Sequence, residues 1–383
     1  MLGTAVVRVE VVITGLEWRD AASDGAPQRR FFQSGPAVRL HANEHPYPPP
    51  PEVLSAIAEW SFEANCYPFG NEDPLVRMIA ERAEVRPDQI LLAAGSNELL
   101  YRAIASLGGP RAEVVIPSPS YPTFAAAPGA SSARVVPVPL LSTGACDADG
   151  LLSAVTERTT CVVVCNPNNP TGAAMPSGAL EGLVRDLPAS VLVIVDEAYY
   201  EYTEAFACRA RGALDLFSSG RSILVTRTFS KFFALAGVRL GYGIVPSADL
   251  AADLRAHIGP NAVSALALRA GQAALRAEQI YLERLREQKQ ERLRLWQGLA
   301  ELGLKPMPTE TNFVCCEEPD PETSSWLASK GVNVRSGDSI SAPGHLRITV
   351  GSPESNEQVI ALLAERVVGQ SATKRESRHR EPD

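Results

Sequence analysis

The sequence predicts an α/β protein, with a large three-layer domain built on a mostly parallel sheet and a smaller α+β domain after it. From about Pro51 onward, apolar runs of strand length alternate with amphipathic helical stretches, as in parallel sheets covered by helices. Residues 265–302 form one long helical pattern, which we interpret as a connector between domains. Three short strand candidates follow, with helical signals between them, and indicate the smaller domain.

Six buried strands are predicted in the large domain, because each apolar run is short and ends in polar or turn-forming residues. These runs are QILLAAG, AEVVIPSPS, ARVVPVPL, TTCVVVCN, VLVIVDEA and SILVTRTFS. The smaller domain contributes TNFVCCE, GVNVRSG and HLRITVG. Parallel strands joined by helices therefore account for the large domain.

The domain boundaries follow from these elements. We expect a large ligand-binding domain over residues 66–270 and a small C-terminal domain over 271–368. Residues 37–65 would form an N-terminal arm and a segment that joins the small domain. Residues 1–36 are an unassigned extension, and the polar, charged tail 369–383 is predicted to be disordered.

Composition and charge exclude several classes of protein. The chain of 383 residues has a formal net charge of −8, which argues against nucleic acid or an anionic membrane as its main partner. No run approaches the roughly 20 apolar residues of a spanning helix, and the N-terminus is unlike a signal peptide, so a cytoplasmic location is expected. The seven cysteines lack metal-binding spacing, so we predict reduced thiols, no disulfide framework and no metal.

Polar residues follow five of the predicted strands. In an open parallel sheet, ligands bind at the carboxyl ends of the strands, so these residues predict a site there. They are Gly95, Ser96, Asn97, Ser118, Tyr121, the segment 166–172, Asp196 and the segment 228–231.

One lysine, Lys231, lies in the stretch TRTFSKFFALAGVRLGYG, residues 226–243. A solvated surface lysine is one interpretation, but its neighbours Phe229, Phe232 and Phe233 are apolar. A desolvated ammonium near other cations has a lowered pKa and can act as a nucleophile and then as a base. Lys231 is therefore a candidate catalytic residue, although this motif alone is weak and gains support only from the order of the motifs around it.

The order and spacing of several motifs resemble those of fold type I pyridoxal-phosphate (PLP) enzymes, specifically the class I/II aminotransferases. The motifs are GSNE at 95, Tyr121, NPTG at 169, DEAY at 196, SK at 230, Arg239 and the arginine of LRITVG. Within that superfamily, the segments LHANEHPY, NPNNPTG and AGVRLGY are similar to those of histidinol-phosphate aminotransferases. The resemblance covers roughly residues 38–366. It implies PLP as cofactor, transamination between an amino-acid-like donor and a 2-oxo acid, histidine biosynthesis, and a homodimer with shared active sites.

The resemblance assigns the residues around the cofactor ring. Lys231 would attach the PLP covalently, and Asp196 would keep its pyridine nitrogen protonated. Asn169 and Tyr199 match residues that hydrogen-bond the ring hydroxyl in relatives, and Tyr121 matches the aromatic that stacks on the ring. A helix cap remains the alternative for Asp196, and a place in the core wall is the alternative for Tyr121.

The cofactor phosphate needs backbone N–H groups at a helix start, together with hydroxyls and an arginine. The residues that match the family's phosphate site are Gly95, Ser96, Asn97, Thr228, Ser230 and Arg239. Strand-end packing is the alternative for Thr228. Tyr67 matches a tyrosine that crosses the dimer interface to the partner's cofactor phosphate, although Cys66 stands where the family usually has an arginine.

Four residues are predicted to face the substrate. Arg347 matches the arginine that clamps the substrate α-carboxylate as a bidentate pair, which lysine cannot copy; a structural ion pair is the alternative. Arg335 matches a contact to the distal phosphate in histidinol-phosphate enzymes, although it could equally be a surface residue. His45 occupies a position where some relatives place a substrate-facing tyrosine, and a plain loop role is the alternative. Asn43 belongs to the same segment, which closes over the site in relatives.

Substrate and reaction stay open at this point. The segments IGPNAVSA and YPFGNEDP depart from the family pattern near the substrate, so a different amino acid in secondary metabolism is an alternative. The cofactor residues do not fix which Cα bond breaks, so decarboxylation, cyclisation or oxidation on the same scaffold is another. A regulator with an aminotransferase-like domain would need a DNA-binding module, and residues 1–36 are too few for one and have no excess of basic residues.

Overall fold

Two β-sheets organise the chain in a computed structural model, which describes residues 37–70, 72–259 and 261–378. The predicted extension 1–36 lies outside these residues. The strands are β1 (Val38–Leu40), β2 (Ile90–Ala93), β3 (Glu113–Ser118), β4 (Arg134–Pro139), β5 (Thr159–Cys165), β6 (Leu192–Asp196), β7 (Ile223–Thr228), β8 (Gly241–Ile244), β9 (Phe313–Glu317), β10 (Val332–Ser336) and β11 (His345–Thr349).

The larger sheet has seven strands in the order β2-β8-β7-β6-β5-β3-β4. Strands β3 to β7 pair in parallel, whereas β8 runs antiparallel to both β2 and β7. All six predicted strands of the large domain are present, so the prediction of a mostly parallel α/β sheet is confirmed.

The smaller sheet has four strands in the order β1-β10-β11-β9. Its three C-terminal strands are those that the sequence predicts, and β11 runs antiparallel to β9 and β10. The fourth strand, β1, pairs in parallel with β10 through Val38 and Val332. The segment before the large sheet therefore returns to the C-terminal part of the chain, and it carries residues 41–45 to the boundary between the two sheets.

Helices cover both faces of the larger sheet and also pack on the smaller sheet. They are α1 (Pro51–Trp60), α2 (Glu72–Ala83), α3 (Ser96–Ser106), α4 (Thr123–Ala126), α5 (Ala148–Ser153), α6 (Ala179–Asp186), α7 (Glu204–Ala207), α8 (Ala248–Arg255), α9 (Ala265–Arg276), α10 (Glu278–Glu301), α11 (Thr323–Ser329) and α12 (Pro353–Arg378). Residues of β5 alternate between two apolar clusters: Val162 and Val164 belong to one, Cys161 and Val163 to the other. Both faces of the strand are buried, which explains its continuous apolar sequence.

Two predicted elements differ from the structure. The pattern 265–302 is two helices, because Ala277, with φ −88° and ψ 14°, ends α9 and precedes α10. Helix α12 continues to Arg378, so residues 369–378 are helical rather than disordered as predicted; Ala, Gln, Glu, Lys and Arg in this stretch are good helix formers despite their polarity. Residues 379–383 lie outside the described residues.

The cysteines are free thiols, five of them buried, with only Cys66 and Cys208 exposed. Within the described ranges, no group of His, Cys, Asp and Glu side chains is arranged to hold a metal ion. No helix in this part of the chain is long and apolar enough to cross a membrane.

Candidate active site

A cavity of about 430 Å³ lies where the parallel strands end. It brings together residues that the sequence places far apart, between the carboxyl ends of the larger sheet and the edge of the smaller one. Thirteen of the predicted site residues line it: Asn43, Ser96, Asn97, Tyr121, Asn169, Asp196, Tyr199, Thr228, Ser230, Lys231, Arg239, Arg335 and Arg347.

Lys231 follows the end of β7, and its side chain reaches across to the N-terminal segment. Its Nζ donates to the carbonyl oxygens of Ala42 at 3.3 Å and Asn43 at 3.0 Å. Burial, with added repulsion from Arg347, lowers the pKa of Lys231 to about 8. The amine is therefore far easier to deprotonate than an exposed lysine.

Asp196 ends β6 and is almost fully buried. Its carboxylate accepts from the Thr226 hydroxyl at 3.0 Å and from the Ala198 backbone N–H at 3.2 Å. Burial raises the pKa of Asp196 to about 6. A cationic group in the cavity would favour the ionised carboxylate, so Asp196 is suited to hold a protonated ring nitrogen.

The next residue, Glu197, points away from the cavity, as alternation along an extended chain requires. It forms a buried ion pair with Arg227 at 2.8 Å and accepts from the Ala213 backbone N–H at 2.7 Å. Both charged side chains are only 3–4% exposed. The two adjacent acids thus serve different sides of the sheet, and only Asp196 faces the site.

Arg347 lies on β11 of the smaller sheet and enters the cavity from that side. Its guanidinium donates to Asn169 Oδ1 at 2.6 Å and to the His41 carbonyl at 2.8 Å, and its Nε is buried without a hydrogen-bond partner in the described part of the chain. Arg335 also donates to the His41 carbonyl, at 3.3 Å. Two guanidinium groups thus converge on one oxygen, which is the arrangement an anionic ligand needs.

The helix start predicted for phosphate binding is present. Helix α3 begins at Ser96, directly after Gly95 with φ +91°. A Cβ atom at Gly95 would lie 2.4 Å from Nη2 of Arg239, so glycine allows the guanidinium to lie against the helix start. The Ser230 backbone N–H donates to the Thr228 hydroxyl at 3.1 Å, which fixes the turn beside it. Together these groups form a cationic, donor-rich cradle.

Strand β8, which the sequence did not predict, supports this cradle. A Cβ atom at Gly241 would lie only 2.2 Å from the Ser96 backbone nitrogen, so Gly241 lets the strand press directly against the start of α3. The close approach of backbones explains why this strand is rich in glycine and lacks the usual apolar pattern.

Gly241→Ala is therefore expected to displace the start of α3. We expect it to destabilise the fold by about 1–3 kcal/mol and to weaken binding of a phosphate-bearing ligand at the cradle about tenfold or more. Ligand titration and chemical denaturation would measure the two effects. Gly129→Ala is a suitable control, because a Cβ atom at Gly129 would meet no atom of the described residues within 4 Å; equal losses of ligand affinity in both variants would contradict the role of Gly241.

Three predicted residues do not line this cavity: Gly95, which directly precedes the start of α3, His45 and Tyr67. The ring of His45 is buried, with Nδ1 accepting from the Tyr47 backbone N–H at 3.1 Å and Nε2 in contact with Gln288 on α10. The prediction of a substrate contact for His45 is thus not supported by its placement, since the ring packs on the connector helix instead. Tyr67 is 74% exposed and packs its ring only against Phe69 among the described aromatic residues.

One acidic residue of the cavity was missed. Glu44 lines it, and its carboxylate receives a bidentate pair from Arg39 at 2.7 and 3.0 Å. The signal was available, because Glu44 lies inside the quoted motif LHANEHPY. Ser339 and Ile340 also line the cavity, but they belong to a short 3₁₀ helix, Gly337–Ile340, with no distinctive sequence pattern.

The residues present fit an aromatic cofactor that carries a phosphate and an electrophilic carbon. Asp196 lies on the cavity wall for a ring nitrogen, Lys231 supplies an amine of lowered pKa, and the start of α3 with Arg239 supplies the phosphate cradle. Tyr121 provides an aromatic face on the same wall. The Nε of Arg347, buried and without a hydrogen-bond partner among the described residues, leaves a donor for a second ligand.

Comparison with known proteins gives consistent results. The chain matches the family model for aminotransferase class I and II over residues 36–363. It is 34% identical over 333 residues to a histidinol-phosphate aminotransferase of Moorella thermoacetica, covering 86% of this chain and 85% of the relative. It is 35% identical over 342 residues to an aromatic amino acid aminotransferase of Nocardia farcinica, covering 87% and 92%.

A solved structure extends the likeness to three dimensions. The crystal structure of histidinol-phosphate aminotransferase from Sinorhizobium meliloti, in complex with pyridoxal-5'-phosphate, matches with a TM-score of 0.80 at 26% sequence identity. The match covers 96% of this chain and 99% of that chain.

Proposed function

Because the class I and II aminotransferase model matches residues 36–363, the chain belongs to that family, and we propose that it moves an amino group between a histidinol phosphate-like donor and a 2-oxo acid. The protein is thus a PLP-dependent aminotransferase in fold and family. The observation that carries the proposal is the placement of Lys231, Asp196 and Arg347 around one cavity.

The residues that would hold PLP lie around the expected position of its ring and in the phosphate cradle at the start of α3. Asp196 would face the ring nitrogen, Asn169 and Tyr199 the ring hydroxyl, and the cradle at Ser96 and Arg239 the phosphate. When bound, PLP supplies a carbonyl carbon that takes up the amino group and a protonated ring that withdraws electrons from the substrate. Asp196 favours that protonation because its carboxylate is ionised beside a cation.

Lys231 is the residue that we assign to covalent attachment and proton transfer. Its amine is nucleophilic only when neutral, and its pKa of about 8 makes a useful fraction neutral at pH 7. Once an incoming amine has displaced it, Lys231 would be free to remove the proton from the substrate Cα as a general base. The protonated lysine would then act as the general acid that gives this proton back at a different carbon.

This assignment predicts the pH dependence of cofactor capture. Below its pKa, the neutral fraction of Lys231 falls about tenfold for each pH unit, so the rate at which apoprotein attaches PLP should rise about tenfold from pH 6 to 7. The rate should level off above about pH 8. Stopped-flow absorbance after mixing would measure it; a rate that keeps rising to pH 10, as for an exposed lysine, would contradict the assignment.

The substrate proposal rests on the two arginines that converge on the His41 carbonyl. An α-amino acid carries a carboxylate on its amine-bearing carbon, whereas histidinol phosphate carries a CH₂–O–phosphate group there. Arg347 alone would suit the carboxylate, and Arg347 with Arg335 would suit the larger dianion. A second polar cavity of about 410 Å³ shares Arg335 and Ser339 with the first, which provides room at this end.

The specificity test compares donors of the two kinds. We expect rapid turnover of histidinol phosphate with 2-oxoglutarate and slow turnover of phenylalanine. Replacing Arg335 with glutamine should remove this preference by lowering kcat/KM for histidinol phosphate while leaving phenylalanine little changed. Fast turnover of phenylalanine with none of histidinol phosphate would retain the transaminase chemistry and reject the proposed donor, as the aromatic amino acid relative would suggest.

We also propose a cytoplasmic homodimer with shared active sites. Phe62, Tyr67 and Phe69 are 73–74% exposed within one short segment, and such a cluster of exposed aromatics is typical of an interface. Tyr67 would then reach the cofactor phosphate of the partner subunit. Its exposure in the single chain supports this role.

Sedimentation tests the dimer. We expect the wild type to sediment as a dimer at micromolar concentration, and Phe69→Asp to dissociate at least about tenfold more readily, because burying a carboxylate in an apolar interface is costly. Leu293→Asp serves as the matched control, since Leu293 is also exposed, at 56%, but lies on α10. A wild-type monomer with full turnover would refute the shared site.

A further inference from the structure

Asn43 has a side chain that is tied to the site rather than open to a ligand. It is 1% exposed, and its Nδ2 donates to the hydroxyl oxygen of Tyr199 at 2.9 Å. Its Oδ1 accepts from the Thr349 hydroxyl at 3.2 Å, and its backbone N–H donates to the same hydroxyl oxygen at 2.9 Å. Asn43 was predicted to face the substrate, but its side chain instead contacts Tyr199, which is predicted to bind the cofactor.

The direction of these bonds follows from what each group can donate. The Thr349 hydroxyl already accepts from the Asn43 backbone N–H, so its own proton needs an acceptor, and Asn43 Oδ1 is the acceptor beside it. With Oδ1 occupied in this way, the amide NH₂ group faces Tyr199. The opposite orientation would leave the buried Thr349 hydroxyl proton without a partner in the described part of the chain, which is unfavourable.

A tyrosine that accepts at its oxygen still has one proton to give. The Tyr199 ring packs edge-on against Phe313, with 5.2 Å between centroids, and its O–H direction is set by rotation about the C–O bond. We infer that Asn43 is a positioning residue, which occupies an acceptor site of the Tyr199 oxygen and so turns its O–H toward the cofactor ring oxygen. This rests on the proposed role of Tyr199.

The backbone of Asn43 is the competing explanation for an asparagine here. Its φ is +52°, a left-handed conformation that asparagine and glycine tolerate better than other residues. Asn43→Gly is compatible with that conformation and removes the whole side chain, including the amide. Any effect of this variant on the cofactor then belongs to the side chain rather than to backbone strain.

The expected consequence is a spectroscopic shift. A ring oxygen that receives a hydrogen bond is a weaker base, so the proton that it shares is released at lower pH. Losing the oriented donor makes the oxygen more basic. We expect Asn43→Gly to raise the midpoint of the pH-dependent absorbance of bound PLP by about 0.5–1 pH unit, the equivalent of one hydrogen bond.

The experiment is a double-mutant cycle read by absorbance rather than by turnover. PLP is bound to the wild type, Asn43→Gly, Tyr199→Phe and the double variant, and each is titrated with pH. The double variant should have the midpoint of Tyr199→Phe alone, since Asn43 acts only through the hydroxyl. Thr349→Val, which removes the group that orients the amide, should give a smaller shift in the same direction and covers the case in which Asn43→Gly fails to fold.

Ser132→Gly is the control, because Ser132 lies away from the cavity lining and has a similar φ of +61°; it should leave the midpoint unchanged. An equal shift from Asn43→Gly with and without the Tyr199 hydroxyl, or no shift in either background, would overturn the inference. An unchanged midpoint in Tyr199→Phe would also overturn the inference, because it would show that the Tyr199 hydroxyl does not influence the cofactor ring oxygen. A wild type that binds no PLP would instead reject the proposed function.

Discussion

Lys231→Ala is expected to lower turnover by about 10⁴-fold or more, since one side chain supplies both the nucleophile and the proton-transfer group. The variant should still bind PLP, because Asp196, the start of α3 and Arg239 remain in place. It should lose covalent attachment, so borohydride reduction followed by peptide mapping should label the wild type at Lys231 and leave the variant unlabelled.

The matched control is Lys330→Ala, at a lysine whose ammonium lies over the Trp326 ring at 5.7 Å, outside the cavity lining. We expect it to keep full activity and full labelling. A label on Lys330 or Lys305 in the wild type would contradict the assignment of Lys231. A Lys231→Ala variant that retains more than about a hundredth of the wild-type activity would also contradict it. Such a loss would be smaller than the rate enhancement that one general base usually contributes.

Arg347→Lys is the second substitution for which we expect a large loss of activity. A guanidinium can give two parallel hydrogen bonds to a carboxylate, whereas an ammonium is a point charge with no such fork. We expect a loss of about 2 kcal/mol or more in transition-state binding, or about 30-fold in kcat/KM. The loss should be similar for amino acid donors and for the 2-oxo acid, because both carry the carboxylate that we assign to this arginine.

Arg335→Lys makes the same chemical change at the neighbouring arginine. We expect it to reduce kcat/KM for histidinol phosphate and to leave the 2-oxo acid almost unaffected. Steady-state kinetics with both substrates, supported by circular dichroism to confirm folding, would separate the two roles. A loss confined to phosphorylated donors in Arg347→Lys would show that Arg347 does not hold the carboxylate.

The sequence was most informative where local pattern and site chemistry coincide. Several strands of the larger sheet are continuous apolar runs, and polar residues that follow β2, β5, β6 and β7 line the cavity because these strands end at one edge. Asp196 and Lys231 were placed at the site for that reason, and their roles came from the resemblance. Arg347 depended on the resemblance, since nothing local distinguishes it from any other arginine on a strand.

The features that the sequence did not predict depend on contacts between residues far apart in the chain, which local sequence patterns do not indicate. Strand β8 is shaped by the approach of Gly241 to Ser96, which a scan for apolar runs cannot find. Strand β1 has three residues and owes its pairing to β10, far along the chain. His45 was expected to face the substrate, but its ring meets Gln288, 243 positions away. Such long-range partners decide where a side chain from a loop points.

The most direct test of the central claim is a single half-reaction without a 2-oxo acid. The PLP-loaded enzyme is mixed with histidinol phosphate, and the released cofactor and products are identified by mass spectrometry. The account predicts one equivalent of the deaminated carbonyl product per active site, with the nitrogen recovered as pyridoxamine phosphate. If neither histidinol phosphate nor any other amino donor yields pyridoxamine phosphate, or if an amino acid donor instead releases CO₂ and the cofactor returns as PLP, the transaminase account is wrong.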